Sequence, residues 1–171
     1  MVENKELKTG LNAPPFKLPD AEGNTVSLSD MKGKWVILYF YPKDSTSGCT
    51  IEAVDFTSSM PELRKINVEV IGISPDSCKS HQKFIQNHDL LVTLLSDEEK
   101  TVLRKYGVWQ LKKMYGKEHY GVSRTTFLID TEGKIRFIWN NVKVNGHVDE
   151  VKSKLIELQK QVAPDCKTPP A

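Results

Sequence analysis

The stretch "KWVILYFYP", residues 34 to 42, constrains the fold most. It is apolar or aromatic at every position from Trp35 to Tyr41. A strand with one face in water alternates apolar and polar residues; one without alternation must be covered on both faces, which requires a layered α/β domain. Pro42 cannot donate to a ladder and ends the run. "VEVIGISP" repeats the pattern, closed by Gly72 and Pro75, and "TTFLIDTEGKIRFIWN" splits at Asp130 to Gly133 into two runs that read as a hairpin. "APPFKLPDAEGNTVSLSDMKG" reads as an N-terminal β-hairpin turning at "AEGN". Helices are expected at about 49–66, 77–88 and 98–106, and over "HVDEVKSKLIELQKQ", where Val148, Val151, Leu155, Leu158 and Val162 recur at helical spacing. The sum is an α/β domain with a central mixed sheet, helices on both faces and an N-terminal hairpin.

At 171 residues the chain suits one such domain, expected over residues 1–163, with "VAPDCKTPPA" ending in a loose tail, 164–171. Its 24 basic and 22 acidic side chains leave a net charge of +2, with lysines scattered along the chain. That distribution argues against nucleic acid and membrane partners. "MVENKELKTG" lacks a signal-type apolar core and no window is long enough to span a bilayer, so a cytoplasmic location is expected. The three cysteines, Cys49, Cys78 and Cys166, are an odd number without CxxC spacing, and the four histidines do not group with them in a zinc pattern. They are thiols for chemistry or for packing.

Cys49 occupies a particular place. The turn "PKDSTSG" reverses the chain after the buried strand and delivers Cys49 into the first turn of a helix, where free backbone N–H groups and the helix dipole favour negative charge. Thiolates, the nucleophilic form of cysteine, recur at helix N-termini. Gly48 leaves the approach to sulfur unobstructed, and Ser45, Thr46 and Ser47 offer hydroxyls. On these residues alone a reactive cysteine and a small residue at a helix start, with Thr46 as N-cap, both remain open.

The stretch from Pro42 to Cys49 resembles the Pro-x-x-x-Thr-x-x-Cys signature of peroxiredoxins, and "YPKDSTSGCTIEAVDF" is similar to the peroxiredoxin Q, or bacterioferritin comigratory protein, group. "NAPPFKLPDAEGNTVSLSDMKGK", "VIGISPD", "VTLLSDEEKTVLRKYGVW" and "KKMYGKEHYGVSRTTFLIDTEGKI" resemble successive segments of that group, so the likeness covers about residues 10 to 160. It implies a thioredoxin-like fold. It also implies that the Cys49 thiolate attacks a hydroperoxide and becomes a sulfenic acid. Thr46 is expected to hydrogen-bond the sulfur and the peroxide, Pro42 to shield the cysteine, and Arg124, in "GVSRTTF", to hold the thiolate and polarise the peroxide. The resemblance calls for no metal, flavin or haem cofactor. The implied partners are a hydroperoxide substrate and a thiol reductant, whether thioredoxin, glutaredoxin or a small-molecule thiol. A monomer or weak homodimer is expected.

The chain departs from the group where the second, resolving cysteine should stand. Five positions after Cys49 is Val54, and the alternative position on the next helix falls on Ile85. Cys78, at the start of that helix, is a candidate resolving residue only if its segment unfolds or swings, and otherwise a half-buried helix-start residue. Cys166 is either a mobile thiol able to reach the site or an inert one. One-cysteine behaviour is therefore expected. Two other readings compete with the peroxidase. A thioredoxin-type disulfide reductase is disfavoured because Thr46 and Glu52, three residues to either side of Cys49, leave no CxxC. A redox-sensing or holdase-like protein would oxidise Cys49 once instead of turning over.

Overall fold

The computed structural model describes residues 7–166. Among the described residues nine strands and four α-helices follow one another: β1 (Lys17–Pro19), β2 (Thr25–Ser27), β3 (Trp35–Phe40), α1 (Ser47–Lys65), β4 (Val68–Ser74), α2 (Cys78–His88), β5 (Thr93–Ser96), α3 (Thr101–Lys105), β6 (Trp109–Met114), β7 (Lys117–Val122), β8 (Thr125–Ile129), β9 (Ile135–Trp139) and α4 (His147–Cys166). The apolar run that forms β3 is the centre of a five-stranded mixed sheet ordered β5-β4-β3-β8-β9. β3 pairs parallel with β4 (Leu38 opposite Ile71) and antiparallel with β8 (Leu38 opposite Phe127). All six β3 residues are buried.

Pleating divides β3 between two cores. Trp35, Ile37, Tyr39 and the following Tyr41 face Ala53, Phe56, Met60 and Leu63 of α1, Phe84 of α2, and Val148, Val151, Leu155 and Leu158 of α4. Val36, Leu38 and Phe40 face Phe16 and Leu18 of the N-terminal segment and Val102, Leu103 and Tyr106 in and just after α3. This distribution follows from chain handedness. Two successive right-handed crossovers, β3-α1-β4 and β4-α2-β5, move along the sheet in one direction and must lay both helices on one face. The expected N-terminal hairpin is β1–β2, Leu18 opposite Val26.

Three local expectations are corrected. The third helix, expected over 98–106, is confined to Thr101–Lys105. Lys100 takes a left-handed conformation (φ 62°), and the Asp97 carboxylate accepts the Leu103 N–H at 2.8 Å, fixing the start of the helix there. β5 and the β6–β7 hairpin were not anticipated. The hairpin turns on Tyr115 and Gly116, both at positive φ, the conformation that two-residue hairpin turns require. At the other end, α4 continues through residues 164–166, which the sequence assigned to a tail. Pro164 removes one backbone hydrogen bond from that last turn without ending it. The rest of the expected tail, residues 167–171, lies outside the described residues.

Candidate active site

Cys49 is the third residue of α1 and only 1% exposed. The chain reaches it through a loop in which Pro42 is half-buried, Asp44 is buried, Ser45 is left-handed (φ 65°) and Thr46 is the extended N-cap residue (φ −84°, ψ 156°). Arg124, in the two-residue link between β7 and β8, comes to Cys49 from the far side of the sheet order. Its Nη2 donates to Cys49 Sγ at 3.3 Å and its Nη1 to Glu52 Oε1 at 2.7 Å. Gly48 makes this approach feasible, because a Cβ there would stand 3.2 Å from Arg124 Nη2. A guanidinium and a helix N-terminus thus converge on one sulfur, and both stabilise a thiolate.

Glu52 and Arg124 form an ion pair that is incompletely compensated. Burial, the largest influence on Glu52, raises its carboxyl to about 7, against the opposing pull of Arg124. Its second oxygen, Oε2, is buried without a hydrogen-bond partner among the described residues, as is the Tyr39 hydroxyl. Burial is also the largest influence on Arg124 and opposes its charge, but Glu52 and Cys49 outweigh it and hold the guanidinium above its ordinary value. His147, at the start of α4, is pushed down to about 4 by burial and secondarily by Arg124. It therefore stays neutral at neutral pH, with Nε2 2.9 Å from Thr126 Oγ1. Tyr39 completes the floor. Its ring stacks on Phe56 of α1 at 4.9 Å and fills the space a side chain at Gly72 would need, where a Cβ would lie 2.7 Å from its Cζ.

A second buried cluster holds the loop. Asp44 accepts from Tyr41 Oη at 2.7 Å through Oδ1, and from Ser80 Oγ at 2.8 Å through Oδ2. His81 Nδ1 lies 2.7 Å from the same Oδ2, and its Nε2 lies 3.0 Å from the Leu95 carbonyl. Both ring nitrogens therefore face an oxygen, and the ring is held at both ends. Asp76 Oδ2 accepts the Asp44 backbone N–H (2.8 Å) and Ser74 Oγ (2.7 Å). Asp44, Asp76 and His81 together offer three ligand atoms within 4.8 Å of one another. Of these three, His81 and Asp44 are already in contact with each other at 2.7 Å.

The residues expected from the sequence fall as follows. Cys49 and Arg124 are in contact. Thr46 is at the helix start, but its hydroxyl donates to the Lys43 carbonyl at 2.8 Å, and no Thr46–Cys49 bond occurs among the described residues. Its proton is already engaged, which leaves its oxygen as an acceptor. Pro42 lies in the loop. Cys78 is the half-buried first residue of α2, and Cys49 and Cys78 are free thiols. Val54 is partly exposed on α1, and Ile85 packs against the core. Cys166 ends α4, its side chain outside the described residues. Sequence reasoning missed Glu52, Tyr39, Asp44 and His81. Glu52 carries a signal: three residues after Cys49, it is an acid on the face of α1 that buries Ala53 and Phe56.

The AhpC/TSA family model matches residues 9–138. A Coxiella burnetii relative bearing the peroxiredoxin Bcp name is 53% identical over 149 residues, 87% of this chain and 99% of its own. Peroxiredoxin Bcp of Bacillus subtilis is 44% identical over 155 residues, covering 91% of this chain and 99% of its own. Among solved structures, the bacterioferritin comigratory protein of Xanthomonas campestris, described there for its alkyl peroxide reduction, superposes with a TM-score of 0.82 at 37% identity, covering 88% of this chain and 98% of its own. With its thioredoxin-like sheet and a cysteine opening the first long helix, the chain belongs to the AhpC/TSA family of peroxiredoxins.

Proposed function

We propose that the protein is a thiol peroxidase in which Cys49 reduces hydrogen peroxide and organic hydroperoxides and is recycled by an external thiol. The observation that carries this reading is the guanidinium of Arg124 at 3.3 Å from Cys49 Sγ, at a helix N-terminus. The thiolate attacks the terminal peroxide oxygen; an S–O bond forms, the O–O bond breaks, and the departing oxygen takes a proton and leaves as water or alcohol. Arg124 stabilises the charge that moves from sulfur to the leaving oxygen. Thr46, with its proton committed to Lys43, accepts a hydrogen bond from the peroxide O–H and orients it. Pro42 limits access of water to the sulfur.

The product is a sulfenic acid. An external thiol condenses with it to a mixed disulfide, releasing water, and a second thiol frees Cys49. An external donor is needed because the two usual resolving positions hold Val54 and Ile85. The donor is thioredoxin, glutaredoxin or a small-molecule thiol in the cytoplasm, and the protein works as a monomer or weak homodimer. Intact-mass analysis after one equivalent of peroxide tests the cycle. The expected product is one added oxygen on Cys49; a loss of two hydrogens, signifying an internal disulfide with Cys78 or Cys166, contradicts it.

A further inference from the structure

We propose that Asp44 and His81 form a positioning clasp that sets the peroxide-facing loop and makes its order depend on the first turn of α2. Asp44 stands between Pro42 and Thr46, the loop residues expected at the peroxide. Its carboxylate is anchored by Ser80 and His81 from α2 and its N–H by Asp76 from the β4–α2 connection. Apart from Tyr41, every side chain gripping Asp44 belongs to the segment from Ser74 to His81, which also contains Cys78. The sulfur itself is held differently, by α1 and by Arg124 from the β7–β8 link. The clasp therefore governs where Thr46 and the left-handed Ser45 sit without touching the charge balance at Cys49. Because Cys49 is 1% exposed, the placing of this loop decides what reaches the sulfur. A displacement of about 1 Å in a group that orients substrate costs on the order of 10²-fold in rate. Releasing the clasp also frees the turn that bears Cys78, so slower peroxide reaction and faster Cys78 exposure must appear together.

The inference rests on Cys49 being the reacting thiol, and the test separates the two. In the full chain, Asp44→Asn leaves His81 Nδ1 facing an amide instead of a carboxylate. Three quantities are measured: the single-turnover rate with hydrogen peroxide, the pH midpoint of Cys49 alkylation, and the alkylation rate of Cys78 followed by peptide mapping. The expected result is a peroxide rate lower by roughly ten- to a hundredfold, an unmoved Cys49 midpoint, and faster labelling of Cys78. A peroxide rate and Cys78 labelling rate equal to those of the unmutated protein overturn the clasp, as does a shifted Cys49 midpoint, which would put the effect at the sulfur. If Asp44→Asn does not fold, Ser80→Ala decides. It removes the Ser80 hydroxyl and leaves the His81–Asp44 contact, so both effects should appear in the same direction but severalfold; absence of both overturns the proposal. A lack of any Cys49 reaction in the unmutated protein would instead sink the peroxidase reading.

Discussion

Two buried acid–base pairs lie on either side of the loop before α1, and they are built to different standards. In Asp44–His81 both partners are essentially inaccessible (2% and 0% side-chain exposure) and each oxygen and ring nitrogen has a partner. In Glu52–Arg124 the guanidinium is 17% exposed, one of its nitrogens is spent on a sulfur, and Glu52 Oε2 has no partner among the described residues. A fully satisfied network rigidifies its surroundings; in a half-satisfied one the unpaired buried atom is costly. The first pair holds a shape and the second holds a reactive charge. The difference also decides how each responds to damage. Glu52, raised to about 7, can neutralise itself by taking a proton when its partner is lost.

The comparison breaks most readily at His81. His81→Ala leaves the buried Asp44 carboxylate with two hydroxyl donors and without its ring partner, and should cost about 3–5 kcal/mol of stability in chemical denaturation. Arg124→Ala should cost far less stability, because Glu52 protonates, yet slow the reaction with peroxide by about 10² to 10³-fold, with its pH profile displaced upward. Equal destabilisation by the two variants would erase the distinction.

A sharper test uses pH. Glu52, raised from 4.5 to about 7, favours folding fully below about pH 4.5, and that contribution is lost as pH rises through about 7. His147, lowered from 6.5 to about 4, works the other way: its contribution is full above about pH 6.5 and is lost as pH falls through about 4. The two slopes oppose each other over about pH 4.5 to 6.5, and each amounts to about 3 kcal/mol on the scale of 1.36 kcal/mol per pH unit. Glu52→Gln keeps an acceptor for Arg124 Nη1 but cannot titrate. Urea denaturation at pH 4.5, 6.5 and 8 should show its stability climbing more steeply up to pH 6.5 than that of the unmutated protein, without the loss toward pH 7. An unchanged pH dependence would deny the buried acid its raised value. Smaller again is Gly48→Ala. The added methyl would crowd Arg124 Nη2, with an expected loss of about tenfold in peroxide rate. Cys78→Ser should leave steady-state turnover with an external thiol unchanged; loss of turnover with the first reaction intact would make Cys78 the resolving residue.

The same contrast explains what was legible in the sequence. β3, β4, β8 and β9 announced themselves through apolar runs, and Cys49, Thr46 and Pro42 lay in one contiguous stretch. β5 contributes only four residues, and β7 is exposed at four of its six positions, so neither carried a burial pattern. Arg124 was found through family resemblance and not through any local signal. Its partner Glu52 lies 72 residues away, and Asp44 and His81 are separated by 37. No periodicity encodes such pairings; they arise only when the sheet brings loop ends together.

The central claim is that one sulfur does the chemistry, and peroxide consumption by Cys49→Ser measures it most directly. With a thiol reductant in excess, the unmutated protein should turn over hydrogen peroxide repeatedly, whereas Cys49→Ser, little changed in volume and natively folded by circular dichroism, should show only the uncatalysed rate. Sustained turnover by the serine variant would contradict the account.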